Sequence, residues 1–168
     1  MELLMTIDSK DYDDTVGVLT KHTVRAVITR NGNFAMQQSK DGEYKIPGGV
    51  VENGESHLET LKRELLEEMG FRLIESSIEE IGMIIEKRKD IFDSSKKYEC
   101  HTYFYKCEVE KDTCEPDMTA SEIEKGFRPV WADADSIIRG NRAAGNVITS
   151  ARDTLFIQNY NKFITKGE

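Results

Sequence analysis

Three glutamates, Glu64, Glu67 and Glu68, fall at i, i+3 and i+4 in a segment whose apolar residues recur with helical period. A helix there sets all three carboxylates on one side. Like charges at these spacings cost a helix roughly 0.2–0.5 kcal/mol per pair. Glu67 and Glu68 also stand in the last turn, where the helix dipole disfavours negative charge by about 0.3–1 kcal/mol each. Helix stability alone does not select such an arrangement, and a bound divalent cation reverses the sign of both penalties. The competing reading is a solvated glutamate face with Arg63 pairing to Glu59 and Glu67. Glu55 and the Gly48-Gly49 corner upstream move the balance toward chemistry.

The elements that must carry these residues are legible around them. His22 to Arg30 is rich in β-branched residues and reads as a strand, Asn31-Gly32 as a tight turn, and Phe34 to Gln38 as the returning strand of a hairpin. Tyr44 to Pro47 leads into Gly48-Gly49, a corner the backbone can turn freely. From Ser56 to Met69, Leu58, Leu61, Leu65 and Met69 recur at three- and four-residue steps. Ser56 with Glu59 fits a capping box, and Gly70 stands where a helix C-cap belongs. Ile78 to Arg88 and Tyr98 to Val109 read as strands joined by a polar loop. A connection, Glu110 to Gly126, leads to a short strand around Arg128 to Trp131, with helices expected over Ala132–Arg139 and Ala151–Phe163. Strands and helices mix without regular β-α-β alternation, which places the chain in the α/β (α+β) class as a mixed sheet with packed helices.

The 168 residues suit one domain, 1–168, with no repeat or linker. A net charge of −8 repels a phosphate backbone and argues against a nucleic-acid polymer as partner. It leaves open a small anionic substrate bridged to carboxylates by divalent cations. Apolar runs are far short of a membrane span, and the first residues lack a signal peptide's pattern, so a cytoplasmic protein is expected. Cys100, Cys107 and Cys114 form no C-x2-C pair and His22, His57 and His101 are scattered, so reduced thiols, some buried in strands, are expected rather than a zinc site.

The stretch from Gly49 to Phe71, GVVENGESHLETLKRELLEEMGF, resembles the signature of the Nudix hydrolases, G-x5-E-x7-R-E-U-x-E-E-x-G-U with U a bulky apolar residue. Gly49, Glu55, Arg63-Glu64-Leu65, Glu67-Glu68 and Gly70-Phe71 match without departure. At a usage of roughly 7% per fixed residue, a chance match across the chain is on the order of 10⁻⁷. The hairpin and Pro47-Gly48 before the box, and the tryptophan-containing strand after it, are similar to that family's α/β/α sandwich with a mixed central sheet.

The resemblance implies a pyrophosphohydrolase that cleaves a nucleoside diphosphate linked to another moiety, such as ADP-ribose, a nucleotide sugar or a nucleoside triphosphate, with Mg²⁺ or Mn²⁺ as cofactor. It implies Glu67 and Glu68 as core metal ligands and Glu64 as a ligand or the base that activates water. The Gly49 carbonyl is a further metal contact, Glu55 an aid to metal binding or helix orientation, and Arg63 structural support for a box glutamate. A further acid is expected shortly before the tryptophan strand, with Glu122 and Glu124 as candidates. Tyr44 and Phe92 are candidates for stacking on a base, with packing the alternative for Tyr44. The alternative function is a non-catalytic Nudix-like nucleotide-sensing module, which is expected to lose box carboxylates. An isoprenoid diphosphate isomerase would need a cysteine and a glutamate in motifs not found here, and an acidic-helix interaction protein would not need the intact box. The first twenty residues are candidates for an extra strand or a homodimer contact.

Overall fold

The computed structural model describes residues 1–145 and 147–165. Among these residues two four-stranded sheets are linked where one strand ends and the next begins. The first contains β1 (Leu3–Asp8), β2 (Gly17–Val27), β6 (Leu73–Lys89) and β7 (Lys96–Val109), in the order β1-β6-β7-β2. It is mixed, because β6 and β7 run antiparallel while β1 on β6 and β2 on β7 run parallel. The N-terminal residues thus supply an extra strand. The second sheet is antiparallel: β4 (Asn33–Gln38) pairs with β3 (Thr29–Arg30), β5 (Tyr44–Lys45) and β8 (Arg128–Ala132). The expected hairpin is therefore the β3–β4 pair, turned by Asn31 and Gly32 at φ of 50° and 78°. The rest of the expected first strand, up to Val27, belongs to the other sheet.

Among the described residues four helices complete the fold: α1 (His57–Met69), α2 (Ala120–Glu124), α3 (Ala134–Ala144) and α4 (Val147–Ile164). The strands β6 and β7 extend beyond their expected bounds, α3 starts and ends later than expected, and α2 lies inside what read as a plain connection. Helix α1 buries Leu61, Leu65 and Met69 against Val24, Ala26, Ala35 and Tyr105 on one side of the sheets. On the other side, Phe156, Ile157 and Phe163 of α4 and Ile137 of α3 pack on Val27, Met36, Ile84 and Phe104. Helices on both faces of the strands give the α/β/α layering. Phe104 and Phe156 stack with ring centroids 3.9 Å apart. Deleting a side chain of this kind typically costs about 3–5 kcal/mol.

Both ends of α1 are fixed by local chemistry. The Ser56 side chain accepts from the Glu59 N–H, and Glu59 reaches back to the Ser56 N–H, so the capping box is formed. Gly70 caps the other end in the left-handed region at φ 66°, and a Cβ there would run into the carbonyl of Cys114. The three histidines, scattered in sequence, gather on the α1 side of the first sheet. His22 and His101 are neighbours on β2 and β7, with rings 5.2 Å apart, and His57 lies 4.4 Å from the ring of Tyr103. Parallel pairing of distant strands does this, and no spacing rule announces it. Cys100 and Cys107 are buried in β7, Cys114 is exposed, and all three are free thiols. Among the described residues no helix is long and apolar enough to cross a membrane.

Candidate active site

The corner Ile46–Gly49 is held from several directions. On β2, Val24 N–H donates to the Gly49 carbonyl and Ala26 N–H to the Pro47 carbonyl, at 2.9 and 2.8 Å. Gly48 has φ 133° and presses on the Val24 carbonyl so closely that no side chain fits. Its carbonyl accepts from Arg25, and its N–H donates to Glu68 Oε2 at 2.7 Å. At Gly49 the space a Cβ would fill is taken by the carboxylate of Glu64. The two glycines therefore let the backbone and two box carboxylates come together.

Arg63 organises the outer part of the cluster. Its Nε and Nη2 donate to the two oxygens of Glu55 at 2.8 and 2.9 Å, and its Nη1 donates to Glu64 at 2.7 Å. Glu67 lies 3.5 Å from Nη1. The two-pronged bond to Glu55 uses the planar guanidinium fork, which a lysine lacks. Arg63 does not pair with Glu59, which is occupied by the helix cap. The Arg63 hydrogen bonds hold Glu55 down at about 2, and Glu55 in turn raises the Arg63 pKa.

Glu68 differs from its neighbours. It is 3% exposed, and burial pushes its carboxyl up to about 8, against the pull of Lys45, Arg25 and the Gly48 N–H. Glu67, half-exposed, is raised by partial burial while Arg63 opposes. Glu122 stands within electrostatic reach of Glu68. Burial raises Glu122, but bonds from the Thr119 N–H and hydroxyl, with Lys45 nearby, leave it below its usual value. Glu122 thus joins the box, brought there by the capping box of α2. Glu124 is exposed, and its backbone carbonyl accepts from Lys40 Nζ at 3.1 Å.

The aromatic candidates stand apart from these carboxylates. The Tyr44 ring lies against Gly140 of α3, where an added Cβ would come within 2.6 Å of it, and its N–H donates to Asn141. Phe92 is 91% exposed in the β6–β7 turn. That turn lies beyond the Gly17–Lys96 pair, seven residues along β2 from Val24, or roughly 23 Å at 3.3 Å per residue.

The NUDIX domain family matches residues 19–151. The chain belongs to the Nudix family. By family it is a Nudix hydrolase, and such enzymes generally work with divalent metals on small nucleotide-diphosphate substrates. Its fold is similar to a Nudix hydrolase from Nitrosomonas europaea, with a TM-score of 0.58 and 21% identity over 86% of this chain and 91% of that one. It is also similar to the MutT protein of Bacillus halodurans, with a TM-score of 0.53 and 20% identity over 82% and 80% of the two chains. No curated protein matches its sequence closely enough to count as a relative.

The donors of this Nudix site are hard oxygens, which suit magnesium and manganese. Glu64 and Glu67 share the Arg63 guanidinium, Glu68 takes the Gly48 N–H beside them, and the Gly49 carbonyl keeps a second lone pair beyond its bond to Val24. The chemistry of the donor set therefore fits a divalent cation. Among the described residues, though, no group of three or more His, Cys, Asp or Glu is yet gathered closely enough to hold one.

Several residues that build the site carried no role in the sequence reading. Arg25 interrupts an apolar strand, and a buried charge in such a run is a signal that can be read in hindsight. It is 7% exposed and supports the Gly48 carbonyl. Asp153 of α4, 1% exposed, accepts from the Ile46 N–H at 2.9 Å, as Asn141 does from Tyr44 at 2.6 Å. The edge of β5 is thus satisfied by helix side chains in place of another strand. Asp153 also takes a 2.8 Å bond from Arg152 Nε, while Arg152 Nη1 reaches Glu86 and Thr102, each at 3.2 Å.

Proposed function

We propose that this chain hydrolyses a diphosphate bond in a nucleoside diphosphate linked to another moiety, with Mg²⁺ or Mn²⁺ as its metal. One observation carries the reading: Glu55, Glu64 and Glu67 gather around Arg63, while Glu64 and Glu68 reach the Gly48-Gly49 corner. That excess of negative charge suits a cation-assisted reaction of an anionic substrate.

Glu67, Glu68, Glu64 and the Gly49 carbonyl would hold the metal, which when bound neutralises the diphosphate and polarises its oxygens. The protein's own work is positional. The Gly48 N–H fixes Glu68, and Arg63 fixes Glu64 through one prong while Glu55 holds the other two. Water attacks one phosphorus, the bridging P–O bond breaks, and two phosphate products leave. The proton from the water passes to a carboxylate, for which Glu64 and Glu122 are the two candidates. Glu122 is supported by its place beside Glu68, and Glu124 is the other acid of that segment. The substrate set stays at ADP-ribose, nucleotide sugars and nucleoside triphosphates.

The test is a phosphate-release screen of the purified chain against those compounds and dinucleoside polyphosphates, with Mg²⁺ and then with EDTA, products being identified by mass. Cleavage of at least one compound that stops in EDTA is expected. Metal binding without turnover of any compound would instead favour a nucleotide-sensing module.

A further inference from the structure

Lys45 is a cation at this site that, among the described residues, no carboxylate claims. It sits on β5 between Tyr44 and Ile46, both of which belong to the core beneath α3 and α4. Strand alternation turns Lys45 to the opposite face, toward α1. It stands there within electrostatic reach of Glu68 and Glu122. Yet among the described residues no carboxylate oxygen lies within 4.0 Å of its ammonium. Its ammonium lies 4.9 Å from the ring of Phe127.

Both neighbouring acids already have donors of their own. Glu68 takes the Gly48 N–H, and Glu122 takes the Thr119 N–H and hydroxyl. The lysine is therefore not needed to fix either carboxylate. An ammonium has three donors to place, and leaving them unpaired in a half-buried position is unfavourable. A cation–π contact offsets only part of that. The same strand pair has further unused capacity. Gln37, directly across from Lys45 on β4, is fully buried, and neither amide atom has a partner among the described residues.

We infer that Lys45 is a substrate-contacting residue, whose ammonium binds a non-bridging phosphoryl oxygen of the diphosphate beside Glu68 and Glu122. The inference rests on the diphosphate reading above and adds the residue that grips the anion directly. A metal held by the carboxylates would neutralise the diphosphate, and the ammonium from β5 supplies a second positive charge to it. Discrimination against a substrate lacking that negative charge follows.

The probe is imidodiphosphate, the nitrogen-bridged diphosphate analogue, titrated calorimetrically into the full chain in Mg²⁺. Lys45→Gln is expected to weaken binding by about ten- to a hundredfold, the range for losing a charge-assisted hydrogen bond. Lys45→Arg should keep most of the affinity. Mg²⁺ affinity measured without the anion should be unchanged or tighter in Lys45→Gln, since a nearby positive charge has gone. In the wild-type chain, magnesium imidodiphosphate should protect Lys45 from reductive methylation, read by mass spectrometry; this needs no variant to fold. Unchanged imidodiphosphate affinity in Lys45→Gln, absent protection, or a parallel loss of Mg²⁺ affinity would each overturn the inference while leaving the hydrolase reading intact. A wild-type chain that binds Mg²⁺ but no imidodiphosphate would overturn both.

Discussion

Two arginine–carboxylate clusters flank the strands, and they are built on opposite terms. The one on α4 is closed. Arg152 bonds Asp153 and Glu86, Arg25 lies within electrostatic reach of Asp153, and the oxygens of Asp153 are taken by Arg152 and the Ile46 N–H. Two cations face two anions, and Arg152, Asp153 and Arg25 are all buried. The one on α1 is open. Among the described residues Arg63 alone pairs with Glu55, Glu64 and Glu67, and Glu68 is buried on the Gly48 N–H with Glu122 within electrostatic reach. A balanced, enclosed network serves the fold, whereas an unbalanced one at the surface keeps capacity for something that binds. The two meet at the corner, because Asp153 holds Ile46 and Glu68 holds Gly48, two residues apart.

Breaking the closed cluster should have the largest effect on stability. Asp153→Ala leaves the Arg152 charge and the Ile46 N–H without their acceptor. A loss of about 3–5 kcal/mol is expected in urea unfolding, as for other buried pairs broken on one side. A loss below about 1 kcal/mol would mean that the network is not closed in solution.

The open cluster should behave the other way round. Glu67→Gln and Glu68→Gln should each lower turnover by two or more orders of magnitude, or about 3 kcal/mol in the barrier. In metal-free buffer both should fold as well as the parent or better. For Glu68 the sign follows from its raised pKa. Stability from holding its proton is complete below the unfolded value of 4.5 and is lost as pH rises through about 8. A glutamine escapes that loss, so the variant's melting advantage should grow between pH 6 and pH 9. An advantage that shrinks with pH would contradict the burial argument.

A smaller effect sharpens the link between corner and helix. Gly49 is not in the left-handed region, so alanine is acceptable to the backbone, but its methyl displaces the Glu64 carboxylate. Gly49→Ala should reduce turnover by about ten- to a hundredfold, as misplacement of a reacting group by an ångström can, with little change in melting temperature. Equal turnover would remove Glu64 from the mechanism.

The smallest effect is expected at Glu55, whose carboxylate Arg63 keeps ionised to about 2. A lowered pKa contributes stability that is present above the unfolded value of 4.5 and lost as pH falls through about 2. Glu55→Gln should therefore be slightly less stable than the parent at neutral pH, and the two denaturation curves should converge as the pH is lowered. A gap that stays constant to pH 2 would show that the pair contributes by packing alone.

Much of this was legible in the chain. The bounds of α1 followed from Ser56, Glu59 and Gly70, because caps are local chemistry that a few neighbouring residues complete. The box carboxylates were legible for the same reason: a helix fixes which residues share a side. The division of the strands into two sheets was not, since Val27 and Thr29 look alike in sequence and only their partners, Lys106 and Phe34, separate them. The histidine cluster was hidden in the same way, by pairing across 79 positions between His22 and His101.

The sequence by itself determined the glutamate-bearing helix, its charge and its family, because helical periodicity and end caps act over a few residues. Tertiary structure decided which further residues reach that helix: Glu122 over Glu124, Arg25 and Asp153 behind the corner, and Lys45 facing Glu68. These choices depend on long-range strand pairing and on the burial of polar groups that must then find partners, and neither is a property of spacing along the chain.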